Sequence, residues 1–259
     1  MVAGFLAGLL GIGGGMLLVP FLVMILTARG FPPELIIKVA IATSLTTILF
    51  TSLSSVRAHH RRGAVRWDVV KALAPGIVAG TLLGAQIVGA LPGRLIVAFF
   101  AVFIGWSAWR MLRPRKTTGA DGKPRALPSA AGLFGMGSVI GALSAFLGAG
   151  GGFLTVPFLT GRNVRIQQAI ATSAACGFPI ALSGTVGYII AGWNVHLPDL
   201  TFGYLYLPAL AAITPASVLM APLGARVAHV LSIDRMRVLF AVLLVGLAGY
   251  MLTRALARG

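Results

Sequence analysis

Acidic residues are nearly missing from this chain. Of 259 residues only five are Asp or Glu, against 21 Lys and Arg, and charge of either sign makes up 10% of the sequence. A soluble domain carries about 25%. There is too little polar surface here to cover a water-soluble core, and the mean hydropathy of +0.94 excludes a disordered chain. The single cysteine, Cys176, has no partner in the chain, so a disulfide framework is excluded as well. No alanine-type cleavage site marks off a signal peptide; the first apolar run begins at Met1 and reads on into the fold.

Catalytic and metal-binding equipment is equally sparse. No nucleophile–base set, Walker loop or Gly-x-Gly-x-x-Gly ahead of a strand is present, so the sequence predicts no enzyme and no cofactor. His59, His60, His196 and His229 lie in loops, and the acids Glu34, Asp68, Asp121, Asp199 and Asp234 lie at segment ends. Neither group forms a metal site, and no carboxylate sits within a span as an ion relay. The net charge of +16 would ordinarily suggest nucleic acid. Here the basic residues fall between apolar segments, where membrane topology places them, and no nucleic-acid partner is expected.

What the chain does have is apolar length. Runs free of Lys, Arg, Asp and Glu cover 1–28, 39–56, 72–93, 95–109, 126–161, 166–198, 200–225 and 238–253. A membrane helix needs about 20 such residues. The reading is an all-α polytopic membrane protein in a lipid bilayer. Trp67, Trp106, Trp109 and Trp193 stand near segment ends, as an aromatic belt would.

The chain also repeats itself. Residues 11–22, GIGGGMLLVPFL, match residues 148–159, GAGGGFLTVPFL, at nine of twelve positions. The run Ala40-Ile-Ala-Thr-Ser44 recurs as Ala169-Ile-Ala-Thr-Ser173, and Pro75 with Gly84-Ala85 recurs as Pro215 with Gly224-Ala225. Three markers in one order imply two homologous halves, 1–113 and 129–259, joined by a linker, 114–128. Such duplication is typical of transporters.

Charge orients the halves. Loop 57–66 holds Arg57, Arg61, Arg62 and Arg66, and the region 113–125 holds Arg113, Arg115, Lys116, Lys123 and Arg125. Both read as cytoplasmic. The equivalent of loop 57–66 in the second half, 191–199, has no Lys or Arg, whereas 226–237 carries Arg226, Arg235 and Arg237. The halves therefore read as inverted relative to each other, which demands an odd number of crossings in each. Four apolar segments per half satisfy that parity if each half opens with two short half-helices that turn back at the glycines Gly11–Gly15 and Gly148–Gly152, with three full spans following. The alternative is a kinked single span with a glycine packing face.

A helix starting after Gly13-Gly14-Gly15 or Gly150-Gly151-Gly152 presents unpaired N–H groups and a partial positive charge, the physics of anion binding. Thr43, Ser44, Thr172 and Ser173 add hydroxyls without charge, although a Ser or Thr within a helix often bonds the carbonyl four residues before it. These ten residues form the expected anion site. Gln86 and Arg226, at equivalent positions after paired glycines, are expected entrance groups; Arg226 also fits a snorkelling interfacial arginine. Cys176 stands where the first half has Thr47 and reads as an inert buried thiol.

The doubled G-x-G-G-G-x-x-x-V-P-x-L element followed by A-T-S resembles the sulfite exporter TauE/SafE family of bacterial membrane permeases, over nearly the whole chain. The resemblance implies transport, commonly export, of small sulfur-containing anions such as sulfite or organosulfonates across the bacterial inner membrane. The residues by themselves reach only as far as a small anion. They leave open a secondary carrier, an anion-selective channel or a non-transporting membrane subunit, and they say nothing of oligomeric state.

Overall fold

The computed structural model describes residues 15–112, 127–198, 200–227 and 246. Its helices are α1 (Gly15–Ala28), α2 (Pro33–His60), α3 (Trp67–Ala90), α4 (Gly93–Leu112), α5 (Ala130–Leu147), α6 (Gly152–Thr160), α7 (Ile166–Ala191) and α8 (Leu207–Val227). A two-stranded antiparallel ribbon, β1 (Thr201–Phe202) and β2 (Leu205–Tyr206), joins α7 to α8. The sequence had read as purely helical, so the ribbon is an addition. It forms because Gly203 takes φ +56° at the turn, a conformation glycine adopts at little cost.

The helices α2, α3, α5 and α7 are each long and apolar enough to cross a bilayer. Large apolar side chains point outward along the bundle, among them Leu83, Leu95, Val102, Val139, Ile190 and Leu219, each more than half exposed. Water would not tolerate such a continuous apolar surface, and lipid tails do.

At the centre lies α2, whose residues from Ile36 to Ile48 are all buried. Next to it α7 runs antiparallel, with Ser52 against Gly177 and Leu45 against Gly184, and Thr46 Oγ1 lies 3.1 Å from Thr185 Oγ1. By contrast α3 and α7 run in the same direction. Arg66, just before α3, bonds Thr172 early in α7, while Gln86 near the end of α3 bonds Gly187 near the end of α7.

Glycines set the closest helix pair. Gly76, Gly80 and Gly84 of α3 interlock with Gly137 and Gly141 of α5; a Cβ on Gly76 would strike the Phe134 carbonyl, and one on Gly80 the Ser138 carbonyl. Small residues every fourth position let two backbones touch where lipid gives no hydrophobic drive to association. The register, Phe134 beside Gly76 and Ala142 beside Gly84, makes α3 and α5 parallel.

It follows that α5 and α7 run the same way, so the chain between Leu147 and Ile166 returns to the end where α5 began. The helix breaks at Gly148 (φ +60°) and Gly151 (φ +74°), both left-handed, and α6 makes the return. The break was expected to leave two short half-helices. The structure instead gives 18 residues in α5 and nine in α6. The Ser129 hydroxyl caps α5 by accepting from Gly132 N, and Gly137 and Gly141 within α5 serve packing against α3 rather than breaking. At about 1.5 Å per residue, α6 covers less than half of a bilayer core of about 30 Å.

The two ends of the bundle differ. One holds Arg57, Arg61, Arg62 and Arg66 around the α2–α3 turn together with Arg162 and Arg165 ahead of α7. The other holds the ribbon, the start of α2 and the end of α3. We term them the basic end and the ribbon end.

Candidate functional site

The two glycine-rich tips meet. Gly15, the first residue of α1, lies so close to Gly148, the residue ending α5, that a Cβ on Gly15 would strike the Gly148 carbonyl and the Ile48 side chain. Between them sits Ser44 of α2, fully buried. Its hydroxyl is 2.9 Å from Gly148 O and 3.4 Å from Gly15 O. One proton thus serves a carbonyl from each half of the chain. Ser44 was expected to offer that proton to an anion; in this conformation the proton is engaged, because Gly148 at the C-terminus of α5 carries one of the carbonyls that a helix end leaves without an intrahelical donor.

The expected threonines are arranged reciprocally. Thr43 Oγ1 accepts from Tyr206 N at 3.1 Å, and Thr172 Oγ1 accepts from Arg66 N, also at 3.1 Å. Arg66 stands nine residues before Pro75, and Tyr206 nine before Pro215. Each half therefore extends the threonine of its Ala-Thr-Ser element to the loop preceding a proline helix of the other half. Both threonines are fully buried. Neither bonds the carbonyl four residues before it, unlike Thr46 and Thr47, which bond Ala42 O and Thr43 O. The hydroxyl protons of Thr43 and Thr172 have no acceptor among the described residues.

Gly150, Gly151 and Gly152 are buried, as is Ser173. Gly13 and Gly14 lie outside the described residues. At the tip of α6, Gly151 O receives the N–H groups of Leu154 and Thr155. The hydroxyl of Ser144, fully buried on α5, has no partner among the described residues and lies 3.2 Å from the position of a Cβ on Gly151. The sequence reading missed Ser144. Its first-half counterpart is Ala7, so the internal repeat gave it no emphasis.

A second omission is Lys38. The sequence was divided at its charges, so Lys38 appeared as the boundary of a run. The structure puts it inside α2, 7% exposed, with Nζ 2.7 Å from Gly89 O and 5.8 Å from the centroid of the Tyr204 ring. Its position two residues before the repeated Ala-Ile-Ala-Thr-Ser element, where the second half has Gln167, was the available signal.

A family model described as Sulfite exporter TauE/SafE matches residues 1–251. The chain belongs to the TauE/SafE family. It is 37% identical over 248 residues to a probable membrane transporter protein of Haemophilus influenzae, covering 95% of this chain and 93% of that one. It is also similar to the probable membrane transporter protein MJ0441 of Methanocaldococcus jannaschii, 23% identical over 94% of this chain and 89% of that one. No solved structure matches.

The relatives of this TauE/SafE protein are named as membrane transporters, in agreement with the lack of any catalytic set in its sequence. The family's doubled motif is the pair of tips that Ser44 joins. The proposed entrance groups fare differently. The Gln86 amide donates to Gly187 O at 2.9 Å, tying α3 to α7. Arg226 falls in α8, and its side chain lies outside what the structure describes. Among the described residues no cluster of His, Cys, Asp or Glu could hold a metal.

Proposed function

We propose that this protein is a secondary carrier that exports a small anion, a sulfur-containing oxyanion or organosulfonate such as sulfite or sulfoacetate, across the bacterial inner membrane. The anion sits between the glycine tips. Gly13 to Gly15 and Gly150 to Gly152 supply backbone N–H groups, with Thr43, Ser44, Thr172 and Ser173 as hydroxyl donors. The observation that supports this reading is the Ser44 hydroxyl shared inside the bundle between Gly15 O and Gly148 O, one residue from each glycine motif.

An anion leaving water for that point must exchange its hydration for fixed donors. Backbone N–H groups and hydroxyls provide them without stranding a permanent charge when the site is empty. The hydroxyl of Ser144 beside Gly151, unpartnered among the described residues, adds one donor. The architecture is two inverted repeats, each a re-entrant hairpin followed by three spans. The reciprocal pairs Thr43–Tyr206 and Thr172–Arg66 support that two-fold relation. So does the return of α6 toward the end where α5 began. Arginines gathered at the basic end support its cytoplasmic placement. Alternating access then breaks one threonine pair at a time, Thr43–Tyr206 for the ribbon end and Thr172–Arg66 for the basic end.

The test is thermal unfolding of the purified protein with sulfite, sulfate, thiosulfate, sulfoacetate and taurine. A true ligand at 100 times its Kd stabilises by about 2.7 kcal/mol. Flux of that ligand into liposomes should saturate. Flux that rises without saturation would mark a channel, and no flux at all a non-transporting subunit.

A further inference from the structure

We propose that Lys38 forms a second anion site at the ribbon end, a buried ammonium whose counter-charge is the transported anion itself. The inference rests on the anion-carrier reading and assigns it a further binding residue. Lys38 is 7% exposed on a membrane-spanning helix. Of its three N–H bonds one reaches Gly89 O; the other two have no acceptor among the described residues. The Tyr204 ring covers one side. Burial holds the Tyr204 phenol above its ordinary range, so Tyr204 brings no negative charge to the ammonium.

No carboxylate comes within ion-pair distance of Lys38 among the described residues. Glu34, one turn earlier on α2, accepts from Gly93 N at 3.1 Å and faces Arg94 at 3.8 Å, with a side chain 59% exposed. A lysine near a helix C-terminus commonly caps its last carbonyls, and the Gly89 contact fits that role. Capping brings no carboxylate to the ammonium, Glu34 acts on it only from beyond ion-pair distance, and an ion poorly paired in a low-dielectric interior is costly. A mobile anion completes the pair. The ammonium is a compact point charge with rotatable donors, suited to a small oxyanion more than to a planar carboxylate fork.

Position gives the site its task. Lys38 precedes Thr43 by five residues on α2, about 7.5 Å along the axis. One ribbon closes over both: Tyr206 N bonds Thr43, and the Tyr204 ring lies over Lys38. An anion moving from the glycine tips toward the ribbon end passes Thr43 and then meets Lys38. The second half has exposed Gln167 at the equivalent position, so among the described residues a buried Lys or Arg is found at the ribbon end alone.

The experiment uses the full chain, purified, titrated with sodium sulfite as parent, Lys38→Met and Lys38→Arg. Lys38→Met keeps length and removes charge, and should weaken binding about ten- to a hundredfold; Lys38→Arg restores charge and should recover part of the loss. A purely capping role would lower the melting temperature of Lys38→Met and leave its sulfite affinity intact, which overturns the proposal. If the parent binds no anion, the carrier reading and this one fall together; if the parent and Lys38→Met bind alike, only Lys38 is removed. Should Lys38→Met fail to fold, crystals of the parent soaked in selenite decide. An anomalous peak within hydrogen-bond reach of Nζ supports the site, and a peak confined to the glycine tips overturns it.

Discussion

The hydroxyl of Ser44 lies 2.9 Å from the carbonyl oxygen of Gly148, 104 residues further along the chain. With Gly15 O on its other side, Ser44 is one of the points where the two parts of the chain are joined. Ser44→Ala leaves the buried Gly148 carbonyl without this donor, and should cost about 1–3 kcal/mol of stability. Thermal unfolding would show this, and an unchanged melting temperature would mean that Ser44 is not the link between the tips.

Thr43→Val and Thr172→Val remove both the acceptor for a loop N–H and the proposed donor to the anion. Each should weaken anion binding by about 1–3 kcal/mol. Because the two threonines hold opposite ends, the variants should also differ in which face becomes accessible: Thr43→Val frees the ribbon end, and Thr172→Val the basic end. If both bind sulfite as the parent does while remaining folded, the site is elsewhere.

Ser144 gives the opposite balance between folding and binding. Its hydroxyl is buried with no partner among the described residues, and removing an unsatisfied group is neutral or stabilising for the fold. Ser144→Ala should therefore melt at or above the parent temperature yet bind the anion more weakly. A variant unchanged in affinity would exclude Ser144 from the site.

Gly80 and Gly105 separate packing from composition. A side chain at Gly80 runs into the Ser138 backbone, whereas Gly105 has open space around it. Gly80→Leu should abolish folding, and Gly105→Leu should leave yield and melting temperature close to the parent values. Equal behaviour of the two in size-exclusion profiles would contradict the close α3–α5 contact.

Topology can be read with an impermeant thiol reagent on intact cells, since natural Cys176 is fully buried. Trp193→Cys should label from outside and Arg62→Cys only after the membrane is opened. Labelling of residue 62 from outside would sink the inverted arrangement.

Much of the fold was legible in the order of residues. The four long spans follow from runs without charge, because a buried charge in lipid is prohibitive and its absence over about 20 residues leaves few alternatives. The helix break at Gly148–Gly151 follows from clustered glycines. Sequence also marked Thr43, Ser44 and Thr172 by repetition. It could not say how the hydroxyls are used, since a hydroxyl may donate or accept and its partner is chosen by helices far away in the chain.

The sequence by itself determined a helical membrane protein with a doubled glycine motif, because apolar length, charge spacing and internal repetition are properties of local order. Tertiary structure alone decided that α5 is twice as long as α6, that one serine joins both tips, and that Lys38 lies enclosed. These depend on which backbones approach one another. Approach is set by glycines of α3 meeting glycines of α5, and by a ribbon from the second half folding over a helix of the first. A charge that reads as a boundary along the chain becomes an interior group once another segment covers it.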